Sequence, residues 1–409
     1  MIWSKPLPAP VDFRTKWTVA FTTLVARARA FLIASLLFVA ASPASAATCN
    51  GDANGVVKNV NQAGTGDATT ISGAVALAVA ANPLGSNWCI NVDSSTYSEQ
   101  VTVQGVTFTY SSNTLTIQSD PGLVSTYTTV NSPQASTATF RVINSSVNIF
   151  NLAVVSTNSV PYGVWASSSF VQLSSVSVST SGSFGIYTAG VRISSWSVIS
   201  YSSVTLWDAR GYWLDGSTGT TISYSSAQVY SGSFAALYLQ GASSNTFTVL
   251  FASNTAPGGD GAVFTAGSNR NIVWQSTMAG RSNGLYLNAG SSNTFIGSFF
   301  LNFGGVVEAI RGEGGSGYNV VSMSTIQSRG SAIGVGVRFF GSDNLITLSR
   351  VDSVQYGVKF SGDRNALTQS RIVTSYNGTP PYPAVDIDGS TVVVSESFIT
   401  GGGGSYGLT

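Results

Sequence analysis

The sequence contains no histidine, only two cysteines and very few charged residues. Asp, Glu, Lys and Arg together make up 9% of its 409 residues, against roughly 25% in an average soluble protein. Without histidine and with two distant thiols, neither a transition-metal site nor a cofactor is expected. The net charge of +1 and the lack of basic runs also argue against a nucleic-acid partner.

Small polar residues replace the missing charges. Gly, Ser, Thr and Asn are mixed along the whole chain with Val, Ile, Leu and aromatic residues. Disordered chains share the polar half of this mixture but lack the β-branched and aromatic half. The composition therefore indicates an extended β architecture with enough apolar material to form a core.

The N-terminal residues 1–46 have the features of a signal peptide with an N-terminal extension. Arg27 and Arg29 precede an apolar stretch, Ala30–Ala41, and Ala44-Ser45-Ala46 provides the small-x-small cleavage pattern. The stretch is shorter than the roughly 20 residues that a membrane helix needs. We therefore expect an exported protein, extracellular, at the cell surface or periplasmic, with no membrane span in the mature chain.

The strongest feature is an internal repeat. Segments with the pattern Gly-Φ-x-Φ, where Φ is apolar, recur along the chain, as in Gly211-Tyr-Trp-Leu and Gly357-Val-Lys-Phe. Each is followed by a polar turn and an asparagine, at intervals of about 21 to 26 residues. These asparagines are Asn245, Asn271, Asn293, Asn319, Asn344 and Asn365.

A unit of this length holding three short strands is one coil of a β-solenoid. Stacked about 4.8 Å apart, such coils bury a continuous apolar column, and the asparagine amides can hydrogen-bond to one another along the stack. Leucine-rich repeats have a similar length, but their Leu spacing is absent. Propeller blades need units of roughly 40 residues. The fold class predicted is all-β, a right-handed parallel β-helix.

The motif Gly357-Val-Lys-Phe-Ser-Gly, followed by Asn365-Ala-Leu, resembles the parallel β-helix repeats of the pectin-lyase-like superfamily, over residues 97–409. Residues 47–96 resemble the N-terminal cap of that superfamily. An Ala-rich helix is predicted there, with Ile71, Val75 and Ala78 on one face and its end before Pro83. In an exported protein Cys49 and Cys89 are expected to form a disulfide, which would hold this cap to the first coils.

The last residues match the beginning of a further coil. Ser405-Tyr-Gly-Leu-Thr409 is similar to Gln355-Tyr-Gly-Val-Lys359, so the last coil is predicted to be incomplete. Terminal repeats of solenoids normally carry a shielding end. We therefore expect further coils or another chain at this end.

Catalytic residues of the resembled enzymes are mostly missing. Polygalacturonase motifs are absent, and the resemblance to pectate lyases and pectin methylesterases leaves only thin candidates. Asp386 and Asp388 alternate on one strand, and Arg350 and Arg371 occupy equivalent repeat positions, with Asp352 beside the first. They could form an acid–base or calcium pair beside an arginine, or they could simply be solvated ion pairs.

A file of aromatic residues is the more suggestive feature. The central residue of each Gly-Φ-x-Φ strand is predicted to point outward, which gives Trp165, Tyr187, Trp213, Tyr238 and Tyr286 as a candidate ligand-binding file. It continues as Glu308, Arg338, Lys359 and Asp386. Such rings could stack on sugars, or they could only stack on one another and stabilise the sheet.

These features predict an exported β-helix protein that binds carbohydrate or acts as an adhesive or structural rod, without catalysis, with a polysaccharide or cell-surface glycan as partner. The alternative is a polysaccharide lyase or glycoside hydrolase acting on acidic glycans. An enzyme should carry two or more carboxylates with an Arg or Lys clustered on the outside of the coils.

Overall fold

The computed structural model describes residues 55–120, 128–133, 136–180, 185–265, 267–304, 307–329, 334–376, 382–402 and 407. The predicted signal peptide and Cys49 lie outside these residues, so export and the Cys49–Cys89 pairing stay predictions. In the part of the chain that is described, no helix is long and apolar enough to span a membrane.

The predicted fold class is confirmed. The described residues form a parallel β-solenoid of about 12 coils with one short helix. Each coil contributes one strand to each of three parallel sheets, and every strand inside a sheet pairs with the strand one coil before and one coil after it. This topology is that of a parallel β-helix.

The strands are short, and most of them have three to five residues. Sheet 1 has 14 strands: Val56–Val60, Trp88–Val92, Leu115–Ser119, Ser146–Phe150, Phe170–Ser174, Val198–Ser200, Thr221–Ser223, Thr246–Thr248, Ile272–Trp274, Thr294–Ile296, Val320–Ser322, Leu345–Thr347, Ala366–Thr368 and Val393–Ser395. Sheet 2 has 12 strands: Val101–Gln104, Ala138–Ile143, Val160–Ser167, Ile186–Ile193, Arg210–Asp215, Leu237–Gln240, Ala262–Phe264, Leu285–Leu287, Glu308–Gly312, Val335–Phe339, Tyr356–Phe360 and Val385–Ile387. Sheet 3 has 13 strands: Thr96–Ser98, Thr128–Asn131, Leu152–Ser156, Ser177–Thr180, Ser203–Leu206, Ser226–Val229, Phe251–Asn254, Thr277–Gly280, Phe299–Asn302, Thr325–Ser328, Arg350–Ser353, Arg371–Thr374 and Phe398–Thr400.

The core is a single apolar column that runs through the middle of the coils. Alternate residues of every strand point into it, because successive side chains of a strand face opposite sides. Its largest members are rings that contact one another between coils, such as Phe264 and Phe295 with centroids 5.8 Å apart. Each fully buried side chain of this size contributes about 1.5–3 kcal/mol.

The six predicted asparagines form a continuous ladder at one corner of the coils. The side-chain amide of Asn245 donates to Oδ1 of Asn271 at 2.9 Å, and each following pair repeats the bond at 2.9–3.2 Å. Each Oδ1 also accepts the backbone N–H of the previous asparagine, as Asn293 Oδ1 does from Asn271 at 3.0 Å. All six side chains are buried, so the ladder satisfies polar groups that water cannot reach.

The helix Ile71–Ala80 packs its predicted face, with Ile71, Val75 and Ala78, against the first coils. The hydroxyl of Thr70 accepts from Gly73 N at 3.0 Å and caps the helix N-terminus. The carboxylate of Glu99, from the first coil, accepts from two further free backbone N–H groups of the first turn at 2.8 Å each. The helix thereby covers the open edge of the first coil.

Hydrogen bonding between successive coils continues to Gly407, in the C-terminal segment whose sequence matches the beginning of another coil. The oxygen of Gly407 accepts from Val385 N at 3.2 Å, as the oxygen of Ala384 accepts from Val358 N one coil earlier. Gly407 therefore stands in the register that the sequence similarity to Gly357 predicts.

Candidate functional site

Among the residues of the strands, the charged ones are concentrated in sheet 2. In sheet 1 the strands from Trp88–Val92 onward contain no charged residue, and the strands of sheet 3 contain only Arg350, Asp352 and Arg371. The sheet 2 strands carry Arg141, Arg192, Arg210, Asp215, Glu308, Arg311, Arg338, Lys359 and Asp386. In a chain with so few charges, this makes the outer face of sheet 2 the chemically distinctive surface.

The register of sheet 2 defines the outward column along this face. From the first coil to the last it contains Thr102, Arg141, Trp165, Arg192, Trp213, Tyr238, Val263, Tyr286, Arg311, Arg338, Lys359 and Asp386.

Two positions of the predicted file were wrong. Arg192, and not Tyr187, stands between Trp165 and Trp213. The register between Val160–Ser167 and Ile186–Ile193 shifts by one residue near its start, which leaves Tyr187 exposed outside the column. Arg311 takes the position that was expected for Glu308.

The first half of the column is a stack in which cations and rings alternate, which we call the cation–aromatic stack. Its members in order are Arg141, Trp165, Arg192, Trp213, Arg210 and Tyr238. The Arg141 and Arg192 guanidinium carbons lie 5.4 and 5.9 Å from the Trp165 ring centroid. Those of Arg192 and Arg210 lie 4.5 and 4.8 Å from the Trp213 centroid. Arg210 is also 4.4 Å from the centroid of Tyr238.

The stack holds several N–H donors without an acceptor. Among the described residues, Nε of Arg141 and Arg192 and Nε1 of Trp165 and Trp213 have no hydrogen-bond partner. Arg192 uses its other nitrogens, donating to Tyr162 Oη at 2.9 Å and to the carboxylate of Asp215. A buried donor without an acceptor costs about 1–3 kcal/mol, so these four N–H groups destabilise the folded chain unless an acceptor reaches them.

The second half of the column begins with what we call the arginine–glutamate cluster: Tyr286, Glu308, Arg311, Glu313 and Arg338. Glu308 is only 4% exposed and lies 3.7 Å from Arg311 and 3.5 Å from Arg338. Arg311 also pairs with Glu313 at 2.6 Å. Burial, and after it the charge of Glu313, raises the pKa of the Tyr286 hydroxyl.

Asp386 and Asp388 lie on the same outer face, where Lys359 joins them. Its ammonium donates to Asp386 and lies 2.9 Å from Asp388. Burial alone would lower the pKa of Lys359, but the hydrogen bonds to the two carboxylates raise it. The two aspartates are therefore held as an ion-paired group with a lysine, and no arginine of the predicted set reaches them.

The other predicted catalytic residues lie elsewhere, on sheet 3. Arg350 and Arg371 are register partners on successive coils, as the repeat positions predict. Arg350 donates to Asp352 at 2.7 Å, and the pair is solvent-exposed. The five predicted catalytic candidates are thus divided between two different sheets.

Asp260, one coil before the arginine–glutamate cluster, offers a test of the electrostatics of this face. Its Oδ1 accepts from the backbone N and from Nδ2 of Asn283, both at 2.9 Å. Burial raises the pKa of Asp260 above 3.8, although the hydrogen bonds from Asn283 oppose the shift. A raised folded-state pKa gives stability that is fully present below the unfolded-state pKa and is lost as pH rises through the folded-state pKa.

We therefore expect Asp260→Asn to raise the midpoint of thermal unfolding at pH 7 and to leave it nearly unchanged at pH 3. Asp343→Asn is the control with the opposite sign, because the hydrogen bond from Arg364 lowers the pKa of Asp343. That control should lower the midpoint at pH 7. Equal midpoints of wild type and Asp260→Asn at pH 7 would show that burial of the ionised Asp260 carboxylate does not destabilise the folded protein.

Three comparisons place the chain among known proteins. No protein-family model matches it, and no curated protein matches it either. Solved structures do match: the A-module of the Azotobacter vinelandii mannuronan C-5 epimerase AlgE6 is 14% identical, with a TM-score of 0.52, covering 80% of this chain and 93% of that one. The A-module of AlgE4 from the same organism is 12% identical, with a TM-score of 0.42, covering 83% and 92%. At this identity the likeness shows a shared β-solenoid fold.

Proposed function

We propose that this protein is exported and binds a polysaccharide along the outer face of sheet 2, without catalysing a reaction. The observation that carries the proposal is the cation–aromatic stack. In a protein in which only 9% of the residues are charged, three arginines, two tryptophans and a tyrosine are collected on one outer face. Extended glycans present many oxygen acceptors, which arginine side chains can bind.

The geometry of the face suits a polymer that lies along the solenoid axis. Strands of neighbouring coils are about 4.8 Å apart, so the column presents equivalent positions at a regular short interval. The AlgE6 A-module is part of a mannuronan C-5 epimerase. A polysaccharide ligand for the present chain is consistent with that likeness of fold.

The test is a binding measurement on a panel of immobilised neutral and acidic polysaccharides, with variants of the column. We expect Trp213→Ala and Tyr238→Ala to weaken binding by at least about tenfold, because each removes one member of the stack. The matched control is Trp274→Ala, which removes a tryptophan that is 47% exposed on the outer face of sheet 1. Circular dichroism verifies that all three variants remain folded.

Two outcomes would contradict the proposal. One is that no polysaccharide of the panel is retained. The other is that Trp274→Ala weakens binding as much as Trp213→Ala does.

A second candidate function is a polysaccharide lyase or glycoside hydrolase acting on acidic glycans. It is favoured by the arginine–glutamate cluster, because two carboxylates, two arginines and a tyrosine lie together on one outer face. Carboxylates and tyrosines serve as general acids and bases, and arginine neutralises a sugar carboxylate. New reducing ends or unsaturated products released from the same panel would establish this function instead.

A further inference from the structure

A separate polar cleft lies at the corner where the chain passes from sheet 2 to sheet 1, beside the asparagine ladder. Its volume is about 270 Å³. It is lined by three glycines of one turn together with Tyr318, Ser291, Ser342 and Asp343. None of these residues belongs to the outward column of sheet 2, so the cleft is distinct from the face described above.

The cleft exists because one turn is longer than its neighbours. Between Gly312, which is in register in sheet 2, and Val320, which is in register in sheet 1, there are seven residues, 313–319. The equivalent turn of the preceding coil has six residues, 288–293, and that of the following coil has five, 340–344. The longer turn therefore projects from the corner, and the cleft lies between it and the two shorter turns.

Tyr318 presents an aromatic ring at this cleft. It comes directly before Asn319 of the ladder, has a left-handed backbone with a φ of 60°, and is 63% exposed. The rings of Trp165 and Trp213 in the cation–aromatic stack have guanidinium groups over them. Among the described residues, no cation lies over the ring of Tyr318, so this ring is open to the apolar C–H face of a sugar.

The polar groups of the cleft include both an acceptor and a donor. Arg364 donates from Nε and Nη2 to the two carboxylate oxygens of Asp343, at 2.7 Å each. This pairing fixes the carboxylate and leaves further lone pairs for a ligand. Arg364, and to a smaller extent the hydroxyl of Tyr318, lower the pKa of Asp343, so the carboxylate is a charged acceptor. The Oγ of Ser342 accepts from Asp363 N at 3.1 Å, and among the described residues no acceptor is found for its own O–H.

We propose that this cleft binds one uncharged sugar residue, with a C–H face of the sugar ring on Tyr318, one hydroxyl donating to Asp343 and another accepting from Ser342. The volume lies below the roughly 300–1,000 Å³ of pockets for drug-sized ligands, which suits a single ring. A sugar with a carboxylate is disfavoured, because Asp343 and Asp363 oppose the one cation of Arg364. The site is separate from the proposed polysaccharide binding along sheet 2 and does not depend on it.

The experiment is saturation-transfer-difference NMR on the full-length mature protein. The probes are the methyl glycosides of glucose, galactose, mannose and N-acetylglucosamine, together with glucuronate. We expect at least one neutral glycoside to bind with a dissociation constant of about 1 mM, as a ligand of so few atoms allows, and glucuronate to bind at least about tenfold more weakly. Absence of binding by all four neutral glycosides, or equally tight binding of glucuronate, would overturn the proposal.

Two variants test the assignment to the cleft. Tyr318→Ala removes the ring and should weaken binding at least about tenfold. Gly314→Val should have a similar effect by filling space at the cleft, and the fold should tolerate it, because a Cβ on Gly314 meets no atom within 4 Å. The matched control is Tyr110→Ala, which removes a tyrosine that is also 63% exposed but lies in the N-terminal part of the chain. Circular dichroism verifies that the variants remain folded.

Trp213→Ala distinguishes the cleft from the outer face of sheet 2. It should leave the affinity for the neutral glycoside unchanged, even though the proposed function expects it to weaken the binding of a polysaccharide. If Trp213→Ala abolishes binding of the glycoside, or if Tyr318→Ala and Gly314→Val both bind it as wild type does, the sugar binds elsewhere and the assignment is overturned. The proposed function fails separately, by the retention of no polysaccharide.

Discussion

Asn319→Ala is expected to lower the free energy of unfolding by on the order of 3 kcal/mol, because several buried hydrogen-bonding groups lose their partners at once. The Nδ2 of Asn319 donates to Gly290 O at 3.1 Å and to Asn344 Oδ1 at 3.0 Å. Its Oδ1 accepts from both the backbone N and Nδ2 of Asn293, at 3.0 and 3.2 Å. The methyl group of alanine satisfies none of these groups, and water cannot reach them at a buried corner.

The measurement is equilibrium unfolding in urea, followed by circular dichroism. Asn288→Ala is the matched control, since Asn288 is an exposed asparagine one coil earlier in the chain. It should change the free energy of unfolding by less than about 0.5 kcal/mol. If the two variants lose the same stability, the asparagine ladder contributes nothing beyond an ordinary surface residue.

The ladder shows why the fold could be predicted from the sequence. Every coil passes the same corner, so the residue type that the corner needs returns at an interval of one coil. The inward apolar residues return in the same way, and together these periods specify strands, turns and stacking direction. The helix could be predicted for a separate reason, because an Ala-rich apolar segment that ends before proline favours a helix.

The candidate site could be predicted only in part, because its residues depend on register. The strand Ile186–Ile193 and the residue before it contain a partial match to the repeat pattern that begins at Gly185, with Thr188 in the second apolar position, and a full match that begins at Gly190. The first match suggests Tyr187 for the outward column, but the second is the one that pairs in register and places Arg192 there. The register is set by pairing with the strands of the neighbouring coils. The sequence of one strand alone does not determine it.

The alternation of cations and aromatic rings could not be predicted from the sequence, for a related reason. Arg141 lies in a strand that lacks the glycine of the repeat, and Arg210 lies on the column's flank and reaches the stack through its long side chain. The pattern of outward aromatic residues predicts Trp165, Trp213 and Tyr238, but it does not predict the arginines between them. Two extended basic side chains can join a stack from positions that the repeat pattern does not mark.

The glycines of the repeat have two different roles that look identical in the sequence. Among those that end the segments, Gly216 and Gly241 have positive φ values of 65° and 60° and form turns, whereas Gly341 and Gly362 do not have positive φ values. Those that begin the segments lie within strands or directly before them, and their α-carbons face the core. In successive coils this inward position is occupied by Gly163, Gly190, Gly211, Ala236, Gly261, Gly284, Ala309, Gly336, Gly357 and Ala384. From Gly163 onward no side chain in this column is larger than a methyl group, whereas the preceding coil has Thr139 at this position.

Gly336→Val is therefore expected to lower the free energy of unfolding by about 3 kcal/mol, at the upper end of the cost of overpacking. A Cβ on Gly336 would lie 2.3 Å from Val351 Cγ1 and 2.4 Å from the backbone oxygen of Gly357. Val351 could rotate, but the oxygen of Gly357 belongs to the next coil's backbone and can move only if the stacking of the coils changes. The control is Gly85→Val, because a Cβ at exposed Gly85 meets no atom within 4 Å. The measurement is urea unfolding of both variants. If both lose the same free energy of unfolding, a valine fits the inward column, and the small residues there have another cause.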